Sequence, residues 1–180
     1  MTKTKANTNI NTKAVRLSTE IYNFAQMIAR GLSRSTSGQL EYWARLGCAA
    51  EDNPDLSIDF IKDILASKGK DRRLAENFKR ERTAESNSEV VVSMMPAFKQ
   101  RYKKLRAKQK TSVNDAIEVI KANPSAGMQE EGSLAGVCIY KFDRMRQQFL
   151  LAYEFDPKTR ILLILGVHEN FYRDLKFRSS

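Results

Sequence analysis

The sequence has few of the residues that disulfides and metal sites require. Its two cysteines, Cys48 and Cys138, lie far apart without the spacing of metal ligands, and the chain has a single histidine. We therefore expect no metal and no cofactor. Both cysteines are predicted to be ordinary small apolar residues of a reduced, cytoplasmic protein.

Long apolar segments are also missing. The longest apolar run, Ile161 to Val167, is far shorter than the roughly 18 residues of a membrane span. The first dozen residues are polar and lack the apolar region of a secretory signal. We expect a soluble protein with no membrane partner. Its 42% hydrophobic content allows a packed core, and its 180 residues suffice for one ordinary domain or two small ones.

Positive charge is abundant but uneven along the chain. The net charge is +10, and residues 67–110 contribute 14 basic and 5 acidic side chains, whereas residues 1–66 have a net charge of +1 and residues 111–180 of zero. A field this concentrated attracts phosphate backbones. The alternative is a solvated linker and helix face that binds nothing.

The first patterned segment begins with a strand-like alternation of apolar and polar residues over Lys13–Leu17. Ser18 can cap a helix that ends near Gly31, and Ser35 or Ser37 can cap a second helix. Strand, helix, tight turn and helix follow one another as in a ribbon-helix-helix unit.

Such a unit must dimerise, because a single strand has no partner and two helices cannot close a core. Two strands then pair into an antiparallel ribbon that fits the DNA major groove. The outward residues predicted to contact DNA are Thr12, Ala14 and Arg16, and Arg16 can donate two hydrogen bonds to a guanine. The alternative is an edge strand of some other small fold.

The second helix adds a more specific signal. The stretch Arg34–Gly47, RSTSGQLEYWARLG, resembles the second helix of ParD-like antitoxins. The resemblance implies a bacterial repressor that binds operator DNA as a homodimer or higher oligomer and restrains a toxin. We assign it to residues 1–66.

A further apolar stripe follows Asn53-Pro54. Ser57 can cap a helix with four apolar residues along one face, Ile58, Ile61, Ile64 and Leu65. In separate antitoxins the segment after the DNA-binding unit folds onto the toxin, so we predict that this stripe restrains a toxin. The alternative is a third helix on the dimer core. Residues 67–88 are predicted to be a charged linker.

The last segment, residues 89–180, has the pattern of a small α+β domain. Pro96 suits the first turn of a helix, Thr111 or Ser112 can cap the next, and Asn123-Pro124 stops it. The predicted strands are Glu89–Met95, Val137–Phe142, Gln147–Phe155 and Arg160–Val167.

This β-α-α-β-β-β order resembles the fold of the RelE/ParE toxin superfamily. The resemblance is carried by Phe98–Leu105, Asn123-Pro124, Leu134–Phe142, Leu151–Tyr153 and Gly166–Tyr172. Most members cut mRNA on the ribosome without a metal, while the ParE group inhibits DNA gyrase. The resemblance therefore implies a toxin domain, fused here to the antitoxin that restrains it.

Cleavage of RNA needs a base, an acid and cations around the phosphate. His168 and Tyr172 match the histidine and aromatic residue of the YafQ-like branch, and Arg144 and Arg146 fall where the superfamily places phosphate-contacting or proton-transferring groups. That branch has further histidines that this chain lacks, so Glu169 or a glutamate of Glu130-Glu131 is an alternative base. The residues predicted to hold the RNA backbone are Lys99, Arg101, Lys103, Lys104 and Arg106.

Three functions remain compatible with these patterns. The first is a repressor fused to a ribosome-dependent endoribonuclease that it holds inactive in cis. The second is a toxin fold that is inactive or inhibits gyrase. The third is a DNA-binding regulator whose C-terminal domain only assembles oligomers.

Overall fold

The computed structural model of the chain describes residues 13–78, 90–144 and 147–167. It forms two compact units, residues 1–43 and 44–180. Within the described residues, no helix is long and apolar enough to cross a membrane.

The N-terminal unit contains helix α1 (Thr19–Gly31) and the beginning of α2 (Thr36–Asp52). The Ser18 hydroxyl accepts a hydrogen bond from the amide of Ile21 at 3.3 Å. The Ser35 hydroxyl accepts one from the amide of Gly38 at 3.0 Å. Each serine satisfies an amide that the first helical turn leaves without a backbone partner, so both predicted helix starts are confirmed.

The predicted N-terminal strand does not form within the single chain. Residues 13–17 are exposed and lie outside any strand, and Thr12 lies outside the described residues. A ribbon of two strands requires a second chain, so the ribbon and the dimer stay predictions.

The C-terminal unit is built on a six-stranded mixed sheet in the order β1-β2-β6-β5-β4-β3. Its strands are β1 (Glu76–Asn77), β2 (Val91–Met94), β3 (Met128–Gln129), β4 (Cys138–Arg144), β5 (Gln147–Phe155) and β6 (Thr159–Val167). Strands β2 and β6 pair in parallel, and the other neighbours pair antiparallel. The α+β class and the predicted order of long elements are confirmed, with two short strands, β1 and β3, added at the edges.

In the described residues, the part of α2 from Ala44 onwards packs against the sheet through Ala49, together with three further helices, α3 (Ile58–Lys68), α4 (Pro96–Lys103) and α5 (Ala107–Ala122). Pro96 starts α4 as predicted. The predicted start of α5 at Thr111 or Ser112 is wrong. The Gln109 side chain accepts a hydrogen bond from the amide of Arg106 at 3.0 Å and caps the start of the helix there. Thr111 lies inside the helix, where its hydroxyl donates to the Ala107 carbonyl.

Each face of the sheet has its own apolar core. On one face α3 contributes Phe60, Ile61 and Ile64, which pack with sheet residues such as Leu150 and Leu163. The core of the other face contains α4 and α5 residues together with β4, β5 and β6 residues, among them Phe98, Val113, Ile117, Ile120, Leu151 and Leu165. The sheet is therefore sandwiched between helices that come from before and after β1 in the chain.

Residues 67–78, which the sequence places in a linker, pack along the sheet and contact three of its strands, β2, β5 and β6. The Ser67 hydroxyl donates to the carbonyl of Leu163 at 2.9 Å. The Arg72 guanidinium forms an ion pair with Glu154 at 2.7 Å. Strand β1 then pairs with β2 at the edge of the sheet.

Candidate functional site

Gly166, near the end of strand β6, is in unusually close contact with the aromatic ring of Phe60 in α3. Gly166 of β6 pairs with Leu150 of β5, which pairs with Lys141 of β4. These three residues therefore form one row across the sheet, the Gly166 row. The Phe60 ring lies on this row. A Cβ atom on Gly166 would come within 2.6 Å of two ring atoms of Phe60, so only glycine permits this approach.

Basic side chains lie at both ends of this row. Lys141 donates to the carboxylate of Asp55. Arg101 of α4 donates to the carbonyl of Leu165 at 2.8 Å and also to the carboxylate of Asp63. The end of β6 is thus flanked by two cations, each held by a carboxylate from the segment around α3.

Some basic side chains of the α4–α5 segment form ion pairs and others do not. Lys99 forms an ion pair with Glu76, as Arg101 does with Asp63. Over the described part of the chain, the following residues are exposed and form no ion pair: Lys103, Lys104, Arg106 and Lys108. Of the five cations predicted to hold RNA, two are therefore covered by carboxylates and three are open to a polyanion.

The predicted catalytic residues can be located only in part. His168, Glu169, Tyr172 and Arg146 lie outside the described residues. Arg144 ends β4, where its backbone pairs with Gln147. The last described residue, Val167, pairs with Phe149 and follows Gly166 directly in β6.

Glu130, a candidate base, is half-buried and lies within electrostatic reach of Asp55 and Lys141. Burial raises the pKa of its carboxyl, the nearby Asp55 raises it further, and Lys141 opposes the shift. A carboxyl with a raised pKa is a better proton acceptor near neutral pH than an ordinary glutamate. Glu130 therefore has the environment of a candidate base, beside one of the two flanking cations.

Comparisons with known families account for nearly the whole described chain. Residues 12–84 match the family described as ParD-like antitoxin of type II bacterial toxin-antitoxin system. Residues 92–176 match the family described as ParE-like toxin of type II bacterial toxin-antitoxin system. The chain carries a ParD-like antitoxin domain followed by a ParE-like toxin domain. No curated protein and no solved structure matches it.

Helix α3 lies in the range matched by the antitoxin family, and strands β4, β5 and β6 lie in the range matched by the toxin family. The packing of α3 on the sheet is therefore a contact between antitoxin and toxin within one chain. Ile61 and Ile64 are fully buried against the toxin sheet, and Leu65 packs at the border of the same core. Ile58, which the sequence also assigned to the restraining stripe, is 53% exposed and lies outside this buried contact. The buried face of α3 is centred on Phe60, Ile61 and Ile64, because residues four apart lie on one side of a helix.

The ion pairs between the two domains have a consistent polarity. In three of them the antitoxin domain supplies the acid and the toxin domain the base: Asp55–Lys141, Asp63–Arg101 and Glu76–Lys99. The pair between Arg72 and Glu154 runs the other way. The antitoxin domain therefore neutralises cations of the toxin domain while α3 covers its sheet.

The sequence did not single out Phe60 or the three antitoxin carboxylates. A signal for Phe60 was present, since it lies four residues before Ile64 and one before Ile61. The carboxylates had no comparable signal, because an acidic residue on a helix is usually a solvated one.

Proposed function

We propose that the chain is a self-restrained toxin–antitoxin protein, in which a dimeric ParD-like domain binds operator DNA and a RelE-like toxin domain is held inactive in cis. The observation that carries this proposal is the burial of Ile61 and Ile64 of the antitoxin domain against the toxin sheet. Burial of two isoleucines contributes roughly 3–6 kcal/mol of hydrophobic stabilisation. A contact of this strength within one chain keeps the covered face closed without a second polypeptide.

We propose metal-independent cleavage of mRNA on the ribosome as the toxin activity. His168 would move a proton during cleavage, with Glu169 or Glu130 as the alternative base, and Tyr172 would position the RNA. Arg144 and Arg146 would contact the scissile phosphate. Support comes from the cations at the two ends of the Gly166 row, since Gly166 lies two residues before His168 in the sequence. Phosphoryl transfer needs such cations around the reacting phosphate.

Inhibition of gyrase is the second candidate, because the matched toxin family is described as ParE-like. Expression of residues 89–180 alone in a bacterium, compared with the full chain, separates the candidates. Translation, mRNA integrity and plasmid supercoiling would be followed together. Arrest with cut mRNA supports the endoribonuclease. Arrest with intact mRNA and altered supercoiling supports gyrase, and no arrest supports a regulator without toxin activity.

The operator-binding proposal is supported by the apolar surface of the N-terminal unit. Large apolar side chains are exposed along residues 15–27 of the single chain: Val15, Leu17, Ile21, Phe24 and Met27. Val15 and Leu17 are the residues that alternate with Ala14 and Arg16, so a second copy that covers them would leave the predicted DNA-contacting residues outward.

Replacing Arg16 by alanine should weaken operator binding by about 1–3 kcal/mol and relax the sequence preference at one base pair. Binding to operator and scrambled duplexes, measured by fluorescence anisotropy at fixed salt, checks this. Lys3→Ala is the matched control, since it removes the same charge ahead of the predicted strand. Equal losses for both variants, or unchanged preference in Arg16→Ala, would remove Arg16 from the residues that contact bases.

A further inference from the structure

The Gly166 row has the features of a site for a flat ring between two phosphates. In the described residues the pairing of β2 with β6 ends at Met94 and Leu162, and beyond that point Arg101 of α4 donates to the Leu165 carbonyl at this edge of β6. Lys141 lies on the opposite side, two strands away. Strands are spaced about 4.8 Å apart, so roughly 10 Å separates β4 from β6. The surface between the cations consists of the bare backbone of Gly166, on which the Phe60 ring lies, and the side chain of Leu150.

Three residues of the antitoxin domain fill this arrangement. The Phe60 ring lies on Gly166, and Asp55 and Asp63 bind Lys141 and Arg101. A single segment around the start of α3 therefore presents one aromatic ring and two negative charges to one glycine and two positive charges. Proteins bind single-stranded nucleic acid with the same elements, since bases stack on flat surfaces and phosphates pair with arginine and lysine.

We propose that Gly166, Lys141 and Arg101 form a nucleotide-binding site of the toxin domain, and that Asp55, Phe60 and Asp63 occupy it as a mimic of single-stranded RNA. The ring takes the place of a base, and the two carboxylates take the place of neighbouring phosphates. Restraint is then competitive, because RNA and the antitoxin segment bind the same groups. The choice of RNA as the ligand rests on the proposed endoribonuclease function.

The ion pairs are placed where a competing phosphate can reach them. The side chains of Arg101 and Asp63 are 42% and 37% exposed, and those of Lys141 and Asp55 are 32% and 50% exposed. Ion pairs this open to water contribute at most about 1 kcal/mol to stability. The changes Asp55→Asn and Asp63→Asn should therefore leave the fold and the α3 packing intact while freeing both cations.

The test uses the full chain and a short fluorescein-labelled single-stranded RNA. The double variant Asp55→Asn/Asp63→Asn is compared with Asp59→Asn/Asp71→Asn, which changes the net charge equally. Asp59 and Asp71 pair only locally, with Lys62 and Arg73, among the ion pairs that the structure describes. RNA affinity is measured by anisotropy over a series of salt concentrations, so that site effects separate from effects of net charge.

We expect the first double variant to bind RNA on the order of tenfold more tightly at low salt, because both freed cations can form charge-assisted hydrogen bonds to phosphates. Its dependence of log K on log salt should be steeper by about 1.4, or 0.7 for each phosphate bound. Adding Lys141→Gln or Arg101→Gln should cancel the gain. The control double variant should keep the parent's salt dependence.

Equal behaviour of the two double variants would overturn the site, because the effect would then be one of net charge. A gain in binding to gyrase but not to RNA would overturn it as well. The outcome is separable from the endoribonuclease proposal. RNA binding that depends on Lys141 and Arg101, with no mRNA cut by residues 89–180, would keep the site and reject the nuclease. Cleavage without such binding would do the reverse.

Discussion

Replacing Ile61 and Leu65 of the full chain by aspartate should turn a harmless protein into one that arrests bacterial growth. Ile61 is completely buried against the toxin sheet, and Leu65 packs at the border of the same core. A carboxylate cannot remain charged in such a place without a partner. Loss of an isoleucine from a core alone costs about 2–5 kcal/mol. We therefore expect α3 to leave the sheet and the basic surface of the toxin domain to open.

The matched control is Ile58→Asp on the same helix. Ile58 is 53% exposed, so its replacement adds one carboxylate to α3 without burying it, and the chain should stay harmless. Growth, translation and the cellular amount of each protein would be measured after induction. An arrest by Ile58→Asp would indicate a general effect of charge on α3.

A second comparison keeps this prediction testable if the double variant is unstable. The single change Ile61→Val should weaken the contact by only about 0.5–1.5 kcal/mol and give partial toxicity at high expression. If residues 89–180 alone arrest growth while both Ile61 variants accumulate and remain harmless, the restraint comes from elsewhere in the chain.

The long elements could be predicted because their sequence patterns are local. Strand β5 begins and ends at the predicted residues, Gln147 and Phe155, and Pro96 marks the start of α4. The start of α5 was wrong because its first turn, from Ala107, is polar and basic and has no apolar period. Helix starts of this kind depend on a side-chain cap, here Gln109, which the sequence offers at several positions.

The candidate site depended on contacts between distant parts of the chain, which no local pattern encodes. Arg160 illustrates this: it is 3% exposed, and its guanidinium donates to the carbonyl of Ile120, at the end of α5. By sequence it is one more surface cation. In the same way Asp63 is an ordinary helix carboxylate until the fold brings it to Arg101. The sequence predicted that the α3 segment would contact the toxin domain, but only the folded structure shows that the Phe60 ring lies on Gly166.

The second large effect is expected at the end of the toxin domain. His168→Ala in residues 89–180 should reduce cleavage of mRNA on the ribosome by about 10²–10⁴-fold, the usual contribution of a general acid or base. Binding to the ribosome should change little, because the open cations of the α4–α5 segment, among them Lys103 and Lys104, stay in place. Cleavage sites mapped by primer extension, together with ribosome co-sedimentation, measure the two quantities separately.

Two companion variants assign the roles. Asn170→Ala, within the same segment, serves as the control and should cleave like the parent. Tyr172→Phe should also stay active if Tyr172 stacks on a base, since the ring is kept, whereas Tyr172→Ala should lose activity. Full cleavage by His168→Ala would move the proton transfer to Glu169 or Glu130. Arrest of growth by the unmutated fragment with intact mRNA and altered supercoiling would instead assign the toxin domain to gyrase, and His168→Ala should then leave that arrest unchanged, because inhibition by binding requires no proton transfer.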